Sequence, residues 1–149
     1  MTELAAPIEF GPVRPEQVPR LLDLWHASGL HIRTAGREQP DRLRRELEAY
    51  PDNYIAAFRD DHMIGVAIAS WDGRRGWISR LAVHPDHRRA GLARALIERA
   101  EAELRRRGAQ VIAVLIEPDN HTSLNLFRRE GYQDTPRALY LSKRDALDV

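Results

Sequence analysis

The apolar positions along the chain change period several times, and each change marks an element. From Leu92 the spacing is helical: Leu92, Leu96, Ala100 and Leu104 share one side, with Arg and Glu between them. Gly108 follows three arginines and is placed to stop this helix. Just upstream, Trp77 to Val83 is rich in β-branched and aromatic residues, which predicts a strand. A tight turn whose last residues are Arg88, Arg89, Ala90 and Gly91 joins strand to helix.

The rest of the pattern arranges itself around that unit. Ile8 to Val13 predicts a first strand, with Pro12 marking an edge or an end. Pro15 opens a helix to about Ser28, with Val18, Leu21, Leu22 and Trp25 on its inner side. Residues 30–39 are polar and read as a loop. Pro40 starts a second helix in which Leu43 and Leu47 point inward while Arg42, Arg44, Arg45, Glu46 and Glu48 face water; Pro51 closes it. Tyr54–Arg59 and Met63–Ser70 are apolar runs around Asp60-Asp61-His62, a hairpin with an acidic tip. Beyond the central helix, Val111 to Ile116 predicts a strand buried on both faces. A short helix from about Thr122 to Glu130 follows, then short strands at Tyr132 and at Ala138–Leu141. The order β-α-α-β-β-β-α-β-α-β-β gives an α/β sheet, antiparallel in its first half, with one right-handed βαβ unit.

Composition narrows the function classes. With 149 residues the chain suits one domain, 1–149, around one core. A net charge of +1 gives no basic field for nucleic acid. No apolar run reaches membrane-spanning length and no signal pattern opens the chain, so a cytoplasmic protein without membrane attachment is expected. The absence of cysteine removes disulfides, thiolate metal sites and cysteine nucleophiles, and no metal is expected. Lys143 is the sole lysine, every other strong base being Arg. That bias runs through the whole chain and lowers the functional weight of any single arginine.

A helix entered at a glycine leaves unpaired backbone N–H groups at its positive end, an anion site suited to phosphate. Arg88 and Arg89 add full charges at its rim. A Walker loop would need Lys-Ser or Lys-Thr after the last glycine, but Leu92 follows Gly91. A dinucleotide fingerprint would need three glycines where G-L-A-R-A-L has one, although Glu117 stands where a ribose-binding acid could. The run R-x-x-G-x-A, from Arg88 through Gly91 to Ala93 and preceded by L-x-V-x-P, instead resembles the pyrophosphate-binding turn of the GNAT superfamily of acyl-CoA-dependent N-acetyltransferases. A second run supports this. Asn120 to Tyr132, N-H-T-S-L-N-L-F-R-R-E-G-Y, is similar to that family's N-x-x-A-x-x-x-Y-x-x-x-G-F segment. Ser123 stands for the alanine and Phe127 for the tyrosine. The D-G-x-R-G-W lead-in at Asp72–Trp77 and the closing L-S-K-R resemble the YpeA-type bacterial subgroup.

The resemblance implies a GNAT fold: a mixed central sheet with splayed central strands, flanked by helices, and acetyl-CoA as cosubstrate in the gap. Main-chain groups over Leu81, Ala82 and Val83 would pair with the pantetheine arm. Amides from Arg88, Arg89, Ala90, Gly91, Leu92 and Ala93 would hold the diphosphate, Asn120 would bond the arm from the other side, and Phe127 would line it. The Val83 N–H would stabilise the oxyanion. Glu117 ranks first as base, ahead of Asp72, His31 and His84. Phe127 cannot protonate the departing thiolate as a tyrosine would. Arg33, Arg37, Arg74 and Arg80 fall near the acceptor zone, so an acceptor amine beside an anionic group is expected, on a small molecule, a protein N-terminus or a lysine. Free sheet edges leave a homodimer open. Two alternatives stand beside the enzyme: a GNAT-fold module that binds acyl-CoA without turnover, and a nucleotide-binding protein.

Overall fold

The computed structural model describes residues 6–88 and 91–147. Its sheet has five strands in sequential order: β1 (Glu9–Pro12), β2 (Tyr54–Arg59), β3 (His62–Trp71), β4 (Gly76–Val83) and β5 (Ile112–Val114). The first four are antiparallel and β5 is parallel to β4. The β2–β3 hairpin turns on Asp60 and Asp61, both with positive φ, the conformation that a two-residue turn requires.

Helices α1 (Val18–Ala27) and α2 (Pro40–Ala49) cover one face, and α3 (Leu92–Arg106) covers the other. Strand alternation divides the core between the faces: Val66 joins Leu21, Trp25 and Leu43, whereas its neighbour Ala67 joins Leu92 and Leu96. Two glycines in the sheet bring α3 in close. A Cβ on Gly65 would lie 2.9 Å from Leu96 Cδ1, and one on Gly76 would lie 2.9 Å from Leu104 Cδ1. A final helix, α4 (His121–Arg129), buries Phe127 beside Ile78 and Ile97.

Three expectations need correction. The strand expected over Val111–Ile116 pairs over only three residues and is not buried on both faces; Leu115 is 61% exposed. Its register with β4 covers Gly76–Ile78 and stops, and among the described residues no strand lies on its other side. The strands expected at Tyr132 and at Ala138–Leu141 do not form, and Leu139, Tyr140 and Leu141 are exposed. A strand has to have a ladder, and the three-residue β5 offers little to build on. Glu46, expected in water, is half-buried against the sheet. No helix among the described residues is long and apolar enough to cross a membrane.

The turn after β3 is held by one carboxylate. Asp72 accepts from the amides of Arg74 (2.8 Å) and Arg75 (2.7 Å) and from Trp77 Nε1 (3.0 Å). Chiefly the Arg75 amide, then the Trp77 indole and the Arg74 amide, hold its carboxyl down at about 2. A folded value below the unfolded one means the contribution is complete above about pH 4 and is lost as pH falls toward 2. Asp72→Asn is therefore expected to melt below the wild type at pH 6, with the difference closing between pH 4 and 2. A constant difference across that range would contradict this account.

Candidate functional site

The site begins where β4 and β5 part. Between the Val66–Ala82 and Ile68–Ser79 pairs, β3 supplies only Ala67 while β4 supplies Arg80 and Leu81, which is a bulge. Arg80 takes the left-handed conformation there (φ +50°), which costs about 1–2 kcal/mol for a residue with a side chain. Its guanidinium is held on three sides: it donates to the His31 carbonyl (2.7 Å), pairs with Glu38 and lies 5.4 Å from the Trp25 ring centroid. Beyond the bulge, β4 runs on without a strand partner on its β5 side among the described residues.

Which main-chain groups face that gap follows from alternation. The His84 N–H donates to the Ile64 carbonyl across the β3 side. Successive residues of a strand turn their N–H and C=O groups to opposite sides. Val83 and Leu81 therefore face the gap, and Ala82 faces β3. Of the three positions expected along the cosubstrate arm, Ala82 is the one whose main chain is turned away; its side chain packs with Val66.

At the end of β4 a turn leads to α3, whose N-cap is Gly91 in the left-handed conformation (φ +73°). Among the described residues no side chain caps this end, and the first helical bond runs from the Ala95 N–H to the Gly91 carbonyl. The amides of the first turn therefore have no helical partner. Leu92 is buried against β3, so only its main chain can serve a ligand, and Ala93 is half-buried. Arg88 reaches back to the carbonyls of Val83 and Ser28, both at 3.3 Å. Arg89 and Ala90, expected in the same cradle, lie outside the described residues.

Below the gap is a cavity of about 630 Å³, walled by α1, the loop after it, α2, β4 and the segment after β5. Glu117, Asn120 and Phe127 line it. Glu117 is exposed. The Asn120 side-chain carbonyl caps α4 by accepting from the Ser123 N–H (3.2 Å), which leaves its NH₂ group for a ligand. Phe127 is buried in edge contact with Tyr132 (5.1 Å), whose hydroxyl donates to Glu101. His31, Arg33, Arg37 and Arg80 line the cavity; Arg74 does not, being exposed in the Asp72 turn. Asp72 is likewise committed to its turn, and His84 to its own, accepting from the Asp86 N–H (3.2 Å).

Sequence reasoning missed several polar residues of this cavity, Glu38 among them, and two of the others form a pair. Glu46 and Tyr54 line it together, and the Tyr54 hydroxyl donates to Glu46 Oε2 at 2.5 Å. Burial, then the hydrogen bond to Glu46, push the Tyr54 phenol far above its ordinary range, so it remains a donor. The signal was present: Glu46 lies three residues from Leu43 and one from Leu47, at the border of the inward stripe.

The fold and the sequence both have counterparts. The model of the Acetyltransferase (GNAT) family matches residues 18–132. An acetyltransferase of Sodalis glossinidius (strain morsitans) is 30% identical over 137 residues, spanning 92% of this chain and 95% of its own. Among solved structures, the PaiA N-acetyltransferase of Thermoplasma acidophilum in complex with coenzyme A is similar with a TM-score of 0.76 and 16% identity, covering 85% of this chain and 90% of its own. An aminoglycoside N-acetyltransferase in complex with coenzyme A is similar with a TM-score of 0.74 and 18% identity, covering 97% and 99%.

Proposed function

The chain belongs to the GNAT acetyltransferase family and is an acetyl-CoA-dependent N-acetyltransferase, and from that premise we propose that it acetylates a primary amine of a small molecule or protein by direct attack within a ternary complex. The observation that carries the reading is the β4–β5 gap, with Leu81 and Val83 main-chain groups facing it and the uncapped α3 terminus beyond the end of β4.

In this reading the diphosphate lies on the amides of Gly91, Leu92 and Ala93, and the pantetheine arm adds to β4 along Leu81 and Val83. The Asn120 NH₂ group bonds the arm from the α4 side. The amine lone pair attacks the thioester carbonyl carbon, forming the C–N bond, and the Val83 N–H stabilises the oxyanion. The C–S bond then breaks and coenzyme A leaves as thiolate. The amine arrives with an ordinary pKa near 10, so one proton must leave it before attack. Glu117, acting directly or through water, is assigned that role. The second nitrogen proton is lost as the amide forms. Phe127 offers no acid to the leaving group, and a thiol pKa near 8.5 lets the thiolate depart unaided.

The anion-bearing acceptor expected from the arginines loses two of its four supports. Arg80 is engaged by Glu38 and His31, Arg74 stands outside the cavity, and Arg33 and Arg37 remain on its wall. The proposal includes one catalytic domain in the cytoplasm, and a homodimer through a free edge, β1 or β5; a monomer mass in light scattering would refute the dimer.

The test is release of free thiol from acetyl-CoA over a panel of amino acids, polyamines, aminoglycosides and peptides. Amine-dependent release supports the reading. Heat stabilisation by acetyl-CoA with no release on any amine would favour a non-catalytic acyl-CoA-binding module instead.

A further inference from the structure

Of the carboxylates that line the cavity, Glu38 and Glu117 are accounted for and Glu46 is not. Glu38 pairs with Arg80 and accepts from the Arg33 N–H (2.9 Å). Glu117 stands exposed in solvent. Glu46 is half-buried, and among the described residues its one hydrogen-bond partner is the neutral Tyr54 hydroxyl. It forms no ion pair with any described residue. A carboxylate withdrawn from water without a counter-charge is costly, and a cation is its most effective compensation. Tyr54 occupies Oε2, and an ionised carboxylate retains acceptor positions on its other oxygen.

The sheet register relates Tyr54 to β4. Tyr54 pairs with Ile68, and Ile68 pairs with Ser79 on β4. These three form one row across three strands and all line the cavity. Two strand spacings of about 4.8 Å put Tyr54 roughly 10 Å from β4 along that row. Glu46 meets that row through the Tyr54 hydroxyl and enters the cavity wall from α2, while Leu81 and Val83, where the thioester carbonyl would lie, are further along β4 than Ser79.

We propose that Glu46 selects the acceptor: its carboxylate, held by Tyr54, receives a second positively charged nitrogen of a molecule whose other amine is acetylated at the β4–β5 gap. This rests on the acetyltransferase reading and adds the acceptor class, a diamine or larger polyamine. Tyr54 is a positioning residue. Its hydroxyl fixes the carboxylate rotamer, and it stays protonated throughout the working pH range.

The experiment uses three probes of one skeleton length: cadaverine, pentylamine, and the amino acid in which a carboxylate replaces the second amine. Wild type is expected to favour cadaverine over pentylamine at least tenfold in kcat/KM and to use the amino acid least. Glu46→Gln keeps an acceptor for Tyr54 but loses the charge. It is expected to raise KM for cadaverine at least tenfold and to leave pentylamine, the KM for acetyl-CoA and the melting temperature within twofold or a few degrees. Tyr54→Phe keeps the charge and loosens it, giving a severalfold rise in the cadaverine KM. Glu46→Asp, which retains the charge one methylene further back, should keep the preference for a second nitrogen. A structural role for Glu46 would lower both amines alike and reduce the melting temperature, and that result overturns the proposal, as does a wild type indifferent to the second nitrogen. Should acetyl-CoA bind but no amine release thiol, the acetyltransfer reading fails separately. Calorimetric binding of cadaverine to the coenzyme-loaded protein then decides on Glu46, standing if Glu46→Gln abolishes it and falling otherwise.

Discussion

Gly91→Asp is expected to leave the fold as stable as before and to weaken acetyl-CoA binding at least a hundredfold. The two effects part because the site is made of main chain. Gly91 is the N-cap of α3 at φ +73°, and a Cβ built there meets nothing within 4 Å. Aspartate tolerates the left-handed region better than most residues and is among the best N-caps. Its carboxylate would take amides of the first turn and meet the positive end of the helix dipole, both of which favour the fold. Those are the amides assigned to the diphosphate. Losing two charge-assisted hydrogen bonds at about 1.5–3 kcal/mol each, with a like charge added, costs on the order of 3–6 kcal/mol, which is roughly two to four decades of affinity. Gly91→Ala separates the contributions. It pays about 1 kcal/mol of backbone strain and brings no charge, so it should lose stability and less affinity. Calorimetry against coenzyme A and thermal melting read both quantities. An aspartate variant binding within threefold of wild type would remove the diphosphate from this helix end.

Leu96→Ala is expected to be the most destabilising of the single changes considered, at about 3 kcal/mol, and Gly65→Ala is expected to soften it. Leu96 is fully buried where α3 crosses β3, and its Cδ1 lies 2.9 Å from where a Gly65 Cβ would stand. Truncation removes apolar contact and leaves a cavity, which in comparable cores costs about 2.7–5 kcal/mol. Gly65→Ala alone overpacks the same spot at about 1–3 kcal/mol. In the double variant the new methyl enters space that Leu96 has vacated, so the sum of the single costs should exceed the double by at least about 1 kcal/mol. Leu92 Cδ2, 3.3 Å from the same point, limits the recovery. Urea unfolding at unchanged m is the measurement. Strict additivity would mean that α3 shifts instead of holding its height, and the contact would then not be what sets its N-terminus against β4.

The βαβ unit was legible in sequence because its signals are local. Period-3.6 leucines, a strand of branched residues and the capping glycines each act within a few positions, and they placed β4, α3 and Gly91 where they are. The first hairpin was legible for the same reason, its tip being two acidic residues that tolerate positive φ. The pairing of β5 was not legible. An apolar run such as Val111–Ile116 states a preference for extended backbone, while the length of its ladder depends on where β4 turns away, and that is set by the bulge at Arg80. The closing strands do not form for the same cause: Ala138–Leu141 has strand composition but no ladder to join.

The sequence by itself determined the helix and strand periods, the glycine-entered helix and the order of elements, because these are set by residues within reach of one another along the chain. Tertiary structure alone decided which charges remain unspent. Arg80 is consumed by Glu38, Asp72 by its own turn, and Glu46 is left facing a cavity with a tyrosine as its one partner among the described residues. Pairing depends on which side chains meet across a sheet, and Glu38 and Arg80 are 42 positions apart. No local pattern records that meeting, and so the fold could be read in advance while the acceptor's chemistry could not.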